Sequence, residues 1–129
     1  MKEPVWIDLR DALAIHDRLL ILYGGAEGLR DQTLLESALA RPRQVYTYGD
    51  NPDLADLCTA LMAGVVRNHP FVDGNKRTGF VLGVMFLELN GFDFVATEED
   101  ATQAVRLLAA GSLDEASFKN WLCDNIAAG

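Results

Sequence analysis

The sequence predicts an all-α fold, a compact bundle of about six helices, and three observations carry that expectation. Apolar residues recur at spacings of three and four through most of the chain. Capping residues and helix breakers divide this pattern into segments of helical length. The one stretch of strand-like composition, 44–51 with Val45, Tyr46 and Tyr48, is too short and isolated for a stable sheet and is expected to be a loop. With 129 residues, half of them apolar and 23% charged, the chain buries roughly two-thirds of its unfolded surface. One domain over 1–129 is therefore expected, without staples or a structural metal.

Asp8 caps a first helix over about 9–23, whose apolar positions Leu9, Ala12, Leu13, Leu19 and Leu20 lie with His16 along one side, and Gly24-Gly25 ends it. Asp31 opens a second helix over about 32–41 with Leu34, Leu35, Ala38 and Leu39, and Pro42 is expected to stop it. Asn51-Pro52 supplies an N-cap and a first-turn proline for a third helix over about 53–68, carrying Leu54, Leu57, Cys58, Leu61, Met62 and Val65 on one face. The segment 69–74 breaks the pattern. From Asn75 to Asn90 the apolar positions leave no polar face, the mark of a buried helix enclosed by others. Gly91 ends it. Thr97 with Asp100 starts a helix to about Ala110, and Ser112 with Glu115 reads as a capping box for a last helix bearing Phe118, Trp121, Leu122 and Ile126.

Eleven Lys and Arg against nineteen Asp and Glu give a formal charge of −8, which disfavours general attraction to nucleic acid or to anionic lipid. Cys58 and Cys123 sit in apolar helical contexts without metal-ligand spacing, so both read as reduced core thiols. The uncharged run Thr78 to Leu87 is about half of what a bilayer needs. The first residues include Glu3, Asp8 and Arg10 where a signal peptide would be apolar. A cytoplasmic location is expected, with no membrane and no direct nucleic-acid partner.

The chemistry concentrates in His69-Pro-Phe-Val-Asp-Gly-Asn-Lys-Arg-Thr78, where a loop feeds the apolar helix. Residues 67–77 carry a net +2 while the remainder of the chain carries −10. A positive island in a negative field suits a small anion such as a nucleotide phosphate better than a polyanion. Gly74, Asn75 and Lys76 open a helix, so their N–H groups lack intrahelical acceptors and face whatever lies at its positive end. Lys76 and Arg77 add cations. Asp73 offers the hard oxygen that Mg²⁺ on a polyphosphate takes, and His69 is a candidate general base. An Asp-Gly-Asn turn is also ordinary chemistry for joining two helices. A lysine and an arginine in a first helical turn, however, oppose the helix dipole, and a local rule broken without structural gain points to function. The segment is not a P-loop, because position 69 is His where that motif needs glycine.

His69-x-Phe71-x-Asp73-x-Asn75-Lys76-Arg77-Thr78 resembles the signature loop of the Fic/Doc superfamily in its Doc branch. The Tyr-Gly-Gly at 23–25 after the first helix and the placement of the loop extend the likeness over nearly the whole chain. The resemblance implies that His69 is the base acting on a target hydroxyl, that Phe71 is the buried anchor of the loop and that Asp73 holds Mg²⁺. Gly74 and Asn75 would shape the anion pocket, with Lys76 and Arg77 on the phosphates of ATP. Lys76 and Phe80 stand where the larger Fic branch has a glycine and a final arginine. Phe80 cannot hold a phosphate, and both departures are similar to the Doc branch. That branch implies a toxin of a toxin–antitoxin pair, a kinase that phosphorylates a Ser or Thr hydroxyl of elongation factor Tu and arrests translation. Its antitoxin would fold a C-terminal segment onto the bundle. The [ST]-x-x-x-E-[GN] inhibitory motif of many Fic proteins is absent, since Tyr23 precedes Glu27-Gly28 at the required spacing. The alternatives are a nucleotidyltransferase of the Fic type and a non-enzymatic antitoxin-binding module. His16, Glu88, Arg41 and Arg43 read as packing or solvated residues, although the family resemblance puts the Arg41/Arg43 region beside the active site.

Overall fold

The computed structural model describes residues 2–129. Six helices follow one another, α1 (Leu9–Tyr23), α2 (Gln32–Tyr48), α3 (Leu54–Asn68), α4 (Asn75–Leu89), α5 (Glu98–Ala110) and α6 (Glu115–Cys123). Two short strands, β1 (Phe92–Phe94) and β2 (Ile126–Ala128), pair antiparallel with Phe92 opposite Ala128 and Phe94 opposite Ile126. The all-α expectation holds apart from this small sheet, which stitches the end of α4 to the segment after α6. Ile126 therefore belongs to a strand and not to the last helix.

The helix that follows the loop is buried along one face, and α3, which precedes the loop, is enclosed further still. Twelve of its fifteen residues are buried, against seven of fifteen in α4. Glycines bring the two together. A Cβ on Gly79 would lie 2.7 Å from Val66 Cγ1, and one on Gly83 would overlap Met62, so α4 can approach α3 this closely only with glycine at both positions. Leu57, Leu61, Val65, Leu82, Phe86 and Phe118 fill the core around this contact.

Four expectations need correction. Pro42 does not end α2, which runs to Tyr48 with Pro42 buried inside it, and the expected loop at 44–48 is helical. The missing proline N–H costs on the order of 3 kcal/mol in a helix interior, but the later turns are held from outside. Tyr46 packs edge-on to Trp6 with ring centroids 5.6 Å apart, and the Arg43 guanidinium lies 5.2 Å over the same indole. The caps of α3 and α6 are Asp53 and Asp114, each two residues beyond the expected Asn51 and Ser112. Asp53 and Asp56 form a reciprocal capping box, with aspartate doing what glutamate does in the usual pattern. Cys58 is buried, its thiol pushed up by burial, whereas Cys123 is exposed at the end of α6 and is not a core residue. Arg41 is not simply solvated: it pairs with Glu115 at 2.8 Å, which also takes Arg67 at 3.2 Å and so joins α2 and α3 to α6. No helix among the described residues is long and apolar enough to cross a membrane.

Candidate active site

His69 terminates α3 in the left-handed conformation (φ 55°, ψ 53°), one of two non-glycine residues with positive φ among those described. Such a conformation is strained for a residue with a Cβ and persists only where its surroundings impose it. Pro70 follows and forbids further helix. The connection between α1 and α2 then clamps the loop from the side. Arg30 Nε and Nη2 donate to the carbonyls of His69 and Asn68 at 2.7 and 2.9 Å. The amides of Arg30 and Asp31 both donate to Pro70 O, and Val72 N donates to Gly28 O at 3.0 Å, around an antiparallel bridge between Leu29 and Phe71. A cation on the last carbonyls of α3 also complements its dipole.

Phe71 is 1% exposed, as the resemblance implies for a loop anchor. Its ring stacks on His16 of α1 with centroids 3.7 Å apart and planes 7° from parallel. Its peptide groups are read by Asn75, whose Oδ1 accepts from Phe71 N and whose Nδ2 donates to Phe71 O, both at 2.9 Å. Those two bonds fix which end of the amide is which. Nδ2 is thereby also the atom that donates to His69 Nδ1 at 3.1 Å. The Asn75 side chain is thus committed inside the loop, and what it offers an anion is its backbone N–H.

Asp73 leaves the loop toward solvent. Its Oδ1 accepts from Gly74 N at 2.8 Å and its Oδ2 from Ala26 N at 3.1 Å. These backbone donors, Ala26 first and Gly74 second, with His16 and Arg77 adding charge, hold its carboxyl below the ordinary carboxylate range. The stability this group contributes is present above the ordinary value and disappears as pH falls through the lowered one. Gly25 makes the contact with Ala26 possible: at φ 118°, a Cβ there would sit 2.9 Å from Asp73 Oδ2.

Gly74 is the N-cap of α4, left-handed at φ 78° and without a side-chain cap bond. The other five helices each have a side-chain oxygen accepting from their first turn. The N–H groups of Asn75, Lys76 and Arg77 precede the first intrahelical bond, Thr78 N to Gly74 O at 2.9 Å, and are directed out of the helix end. Lys76 is exposed. The Arg77 guanidinium rests 4.2 Å over the Tyr23 ring. Both line a groove of about 450 Å³ between α1, α4 and α5, with Leu19, Phe80 and Val105 as its apolar floor. Phe80 packs edge-on to Phe94 at 5.3 Å.

No group of three or more His, Cys, Asp or Glu is arranged to hold a metal by protein ligands alone among the described residues. One hard carboxylate beside an uncapped helix start is nevertheless a donor set that fits Mg²⁺ when phosphates complete its coordination. The loop thus brings His69, Phe71, Asp73, Gly74 and Asn75 into one bonded unit, and Lys76 and Arg77 lie on the turn that follows. His16, Gly25 and Arg30 complete it from elsewhere in the chain.

A helical bundle that presents an uncapped helix start behind an H-x-F-x-D-G-N-K-R loop has relatives. The family model described as the Fic/DOC family matches residues 6–87. The chain belongs to the Fic/DOC family. Within it the similarity is to the Doc branch: 36% identity over 124 residues, 95% of this chain and 88% of the other, with the protein named Toxin Doc of Mycolicibacterium smegmatis. A second relative, named Protein kinase doc, of Escherichia phage P1, is 28% identical over 116 residues, 90% of this chain and 91% of that one.

Proposed function

We propose that this chain is a cytoplasmic toxin, a kinase that moves the γ-phosphoryl group of Mg²⁺-bound ATP onto a Ser or Thr hydroxyl of elongation factor Tu and so arrests translation. The observation that carries the reading is the uncapped start of α4, with Asp73 on one side and Lys76 and Arg77 on its first turn. The relatives' names, toxin and protein kinase, support it.

Phosphoryl transfer asks a protein chiefly for positioning and for donors where charge gathers. The N–H groups of Asn75, Lys76 and Arg77 and the two cationic side chains bind the phosphate oxygens, Arg77 leaving Tyr23 to do so. Asp73 would hold the magnesium ion, which when bound would neutralise charge on the phosphates. His69, exposed at the rim, meets the incoming hydroxyl and takes its proton as the new O–P bond forms and the bond from the γ-phosphorus to the bridging oxygen breaks, so that ADP leaves. Asp73→Asn keeps the side chain's outline but removes the charge that offsets Mg²⁺, and its amide nitrogen cannot accept one of the two N–H groups that the carboxylate oxygens hold. The variant is expected to need far more Mg²⁺ for the same transfer rate, measured by titrating the metal. Unchanged activity, together with indifference of the parent to chelator, would take Asp73 out of the site.

One observation favours a second role for His69. Because Asn75 Nδ2 can only donate to Nδ1, the neutral ring carries its proton on Nε2 and offers a donor to the outside. In that role His69 would hydrogen-bond the transferring phosphoryl group. His69→Gln separates the two: an amide donates but is no base at neutral pH, so retained activity supports the donor and loss supports the base.

The partner that restrains the toxin is an antitoxin whose C-terminal segment folds as a helix into an apolar groove, and the groove between α1, α4 and α5 fits that need. A segment lying there covers Lys76 and Arg77. The whole-chain charge of −8 favours encounter with a partner that carries basic residues outside the part seated over Lys76 and Arg77, with a salt-sensitive on-rate. Expression of this chain alone should arrest growth, and co-expression with a small neighbouring reading frame should restore it. Harmless accumulation of folded protein in a cell without that neighbour would overturn the toxin reading.

A further inference from the structure

The buried imidazole that the proposed transfer does not use is His16. It lies in the middle of α1, is 3% exposed, and touches the loop in three ways. Its ring stacks on Phe71 at 3.7 Å. Its Nε2 lies 2.9 Å from Asp73 O, and since a carbonyl only accepts, Nε2 carries a proton and donates. Its edge also lies under Gly74, where a Cβ would be 3.8 Å from Nε2. The stacking alone could be supplied by any flat apolar ring. The hydrogen bond is different, because it grips the Asp73–Gly74 peptide. The carbonyl of that peptide is held by His16, and its N–H is held by Asp73 Oδ1 at 2.8 Å. The orientation of this single peptide plane therefore sets both the direction of the Asp73 carboxylate and the left-handed turn at Gly74 from which α4 starts.

We propose that His16 is a positioning residue for the transfer site: from α1 it locks the Asp73–Gly74 peptide so that the carboxylate and the free N–H groups of α4 face the same point. The inference rests on the reading of the loop as a magnesium and phosphate site. Residues that orient a metal ligand from behind are worth about 10–100-fold in metal affinity or activity, and that is the size of effect expected.

The test compares the full chain with His16→Phe, which keeps a ring on Phe71 without a donor, and His16→Gln, which restores a donor near the position of Nε2. Thermal unfolding, transfer kinetics and binding of Mn²⁺ with a non-hydrolysable ATP analogue, followed by paramagnetic relaxation, are measured on each. His16→Phe should stay folded, bind Mn²⁺ about 10–100-fold more weakly and lose kcat to a similar degree, with the KM for ATP little changed, and His16→Gln should regain most of both. Parent-like metal binding and turnover in His16→Phe would overturn the proposal. So would losses in both variants that follow only their unfolding temperatures, because a merely structural histidine behaves that way. If His16→Phe does not fold, His16→Asn takes its place: its amide stops one methylene short of Asp73, and activity equal to that of His16→Gln would overturn the proposal. The parent keeps the two claims apart. A parent that binds Mn²⁺ and the analogue but transfers nothing refutes the kinase and leaves the His16 comparison to be decided on binding, whereas a parent that binds neither refutes both.

Discussion

His69→Ala is expected to abolish toxicity at equal expression while the fold survives. The two halves of that expectation have separate causes. A proton-transfer group or a donor at the reacting oxygen contributes about 10²–10⁴-fold to rate, and growth arrest does not survive a loss of that size in a catalyst acting on an abundant target. The fold survives because the clamp on residue 69 is made to its backbone. Arg30 donates to the carbonyls of His69 and Asn68, and those bonds are indifferent to the side chain. What disappears is one hydrogen bond from Asn75, worth about 1 kcal/mol at most sites. Circular dichroism and a melting curve alongside the growth assay check both halves. A folded, fully toxic variant would leave a binding module as the better account, with the loop surviving only as a helix start.

Phe71→Ala should fail in the opposite way, by losing stability first. The ring is 1% exposed and sandwiched against His16, so its removal leaves a cavity between α1 and the loop that neither the Leu29 bridge nor the Pro70 bonds can close. Deleting a buried phenylalanine costs about 3–5 kcal/mol, which for a chain of this size lowers the melting temperature by on the order of 10 °C. Activity should fall with it even below the new melting point, since Asn75 reads the Phe71 peptide at both ends and carries that position on to His69. A melting temperature that does not move would mean that the loop is anchored by its backbone clamp alone.

Where sequence and structure agree, the signal was local. Asp8 caps α1 and Thr97 caps α5 where periodicity puts them, because a cap acts within one turn. The motif loop was legible for the same reason, since its chemistry lies within ten consecutive residues. What was missed depends on distant partners. Pro42 obeys its local rule in isolation, but Trp6 holds the turns beyond it. β1 and β2 are three residues each and acquire their bonds only from one another. Gly79 and Gly83 look like weak points in a helix until α3 is laid against them. In the site, Arg30 sits in a connection with no period to betray it, and the Tyr-Gly-Gly that contains Gly25 shows a likeness without showing that Gly25 makes room for Asp73. His16 did leave a trace as a polar residue on the apolar side of α1, and only the fold shows that this side faces Phe71 and Asp73.

The central claim is that the loop transfers phosphoryl and not adenylyl groups, and the position of a label decides it. Purified protein and elongation factor Tu are incubated with Mg²⁺ and ATP labelled at the α or at the γ phosphate, and the factor is then separated and counted. The account predicts label on the factor from γ-labelled ATP alone, lost when His69 is replaced by alanine. Label retained from the α position would contradict it and would make the chain a nucleotidyltransferase.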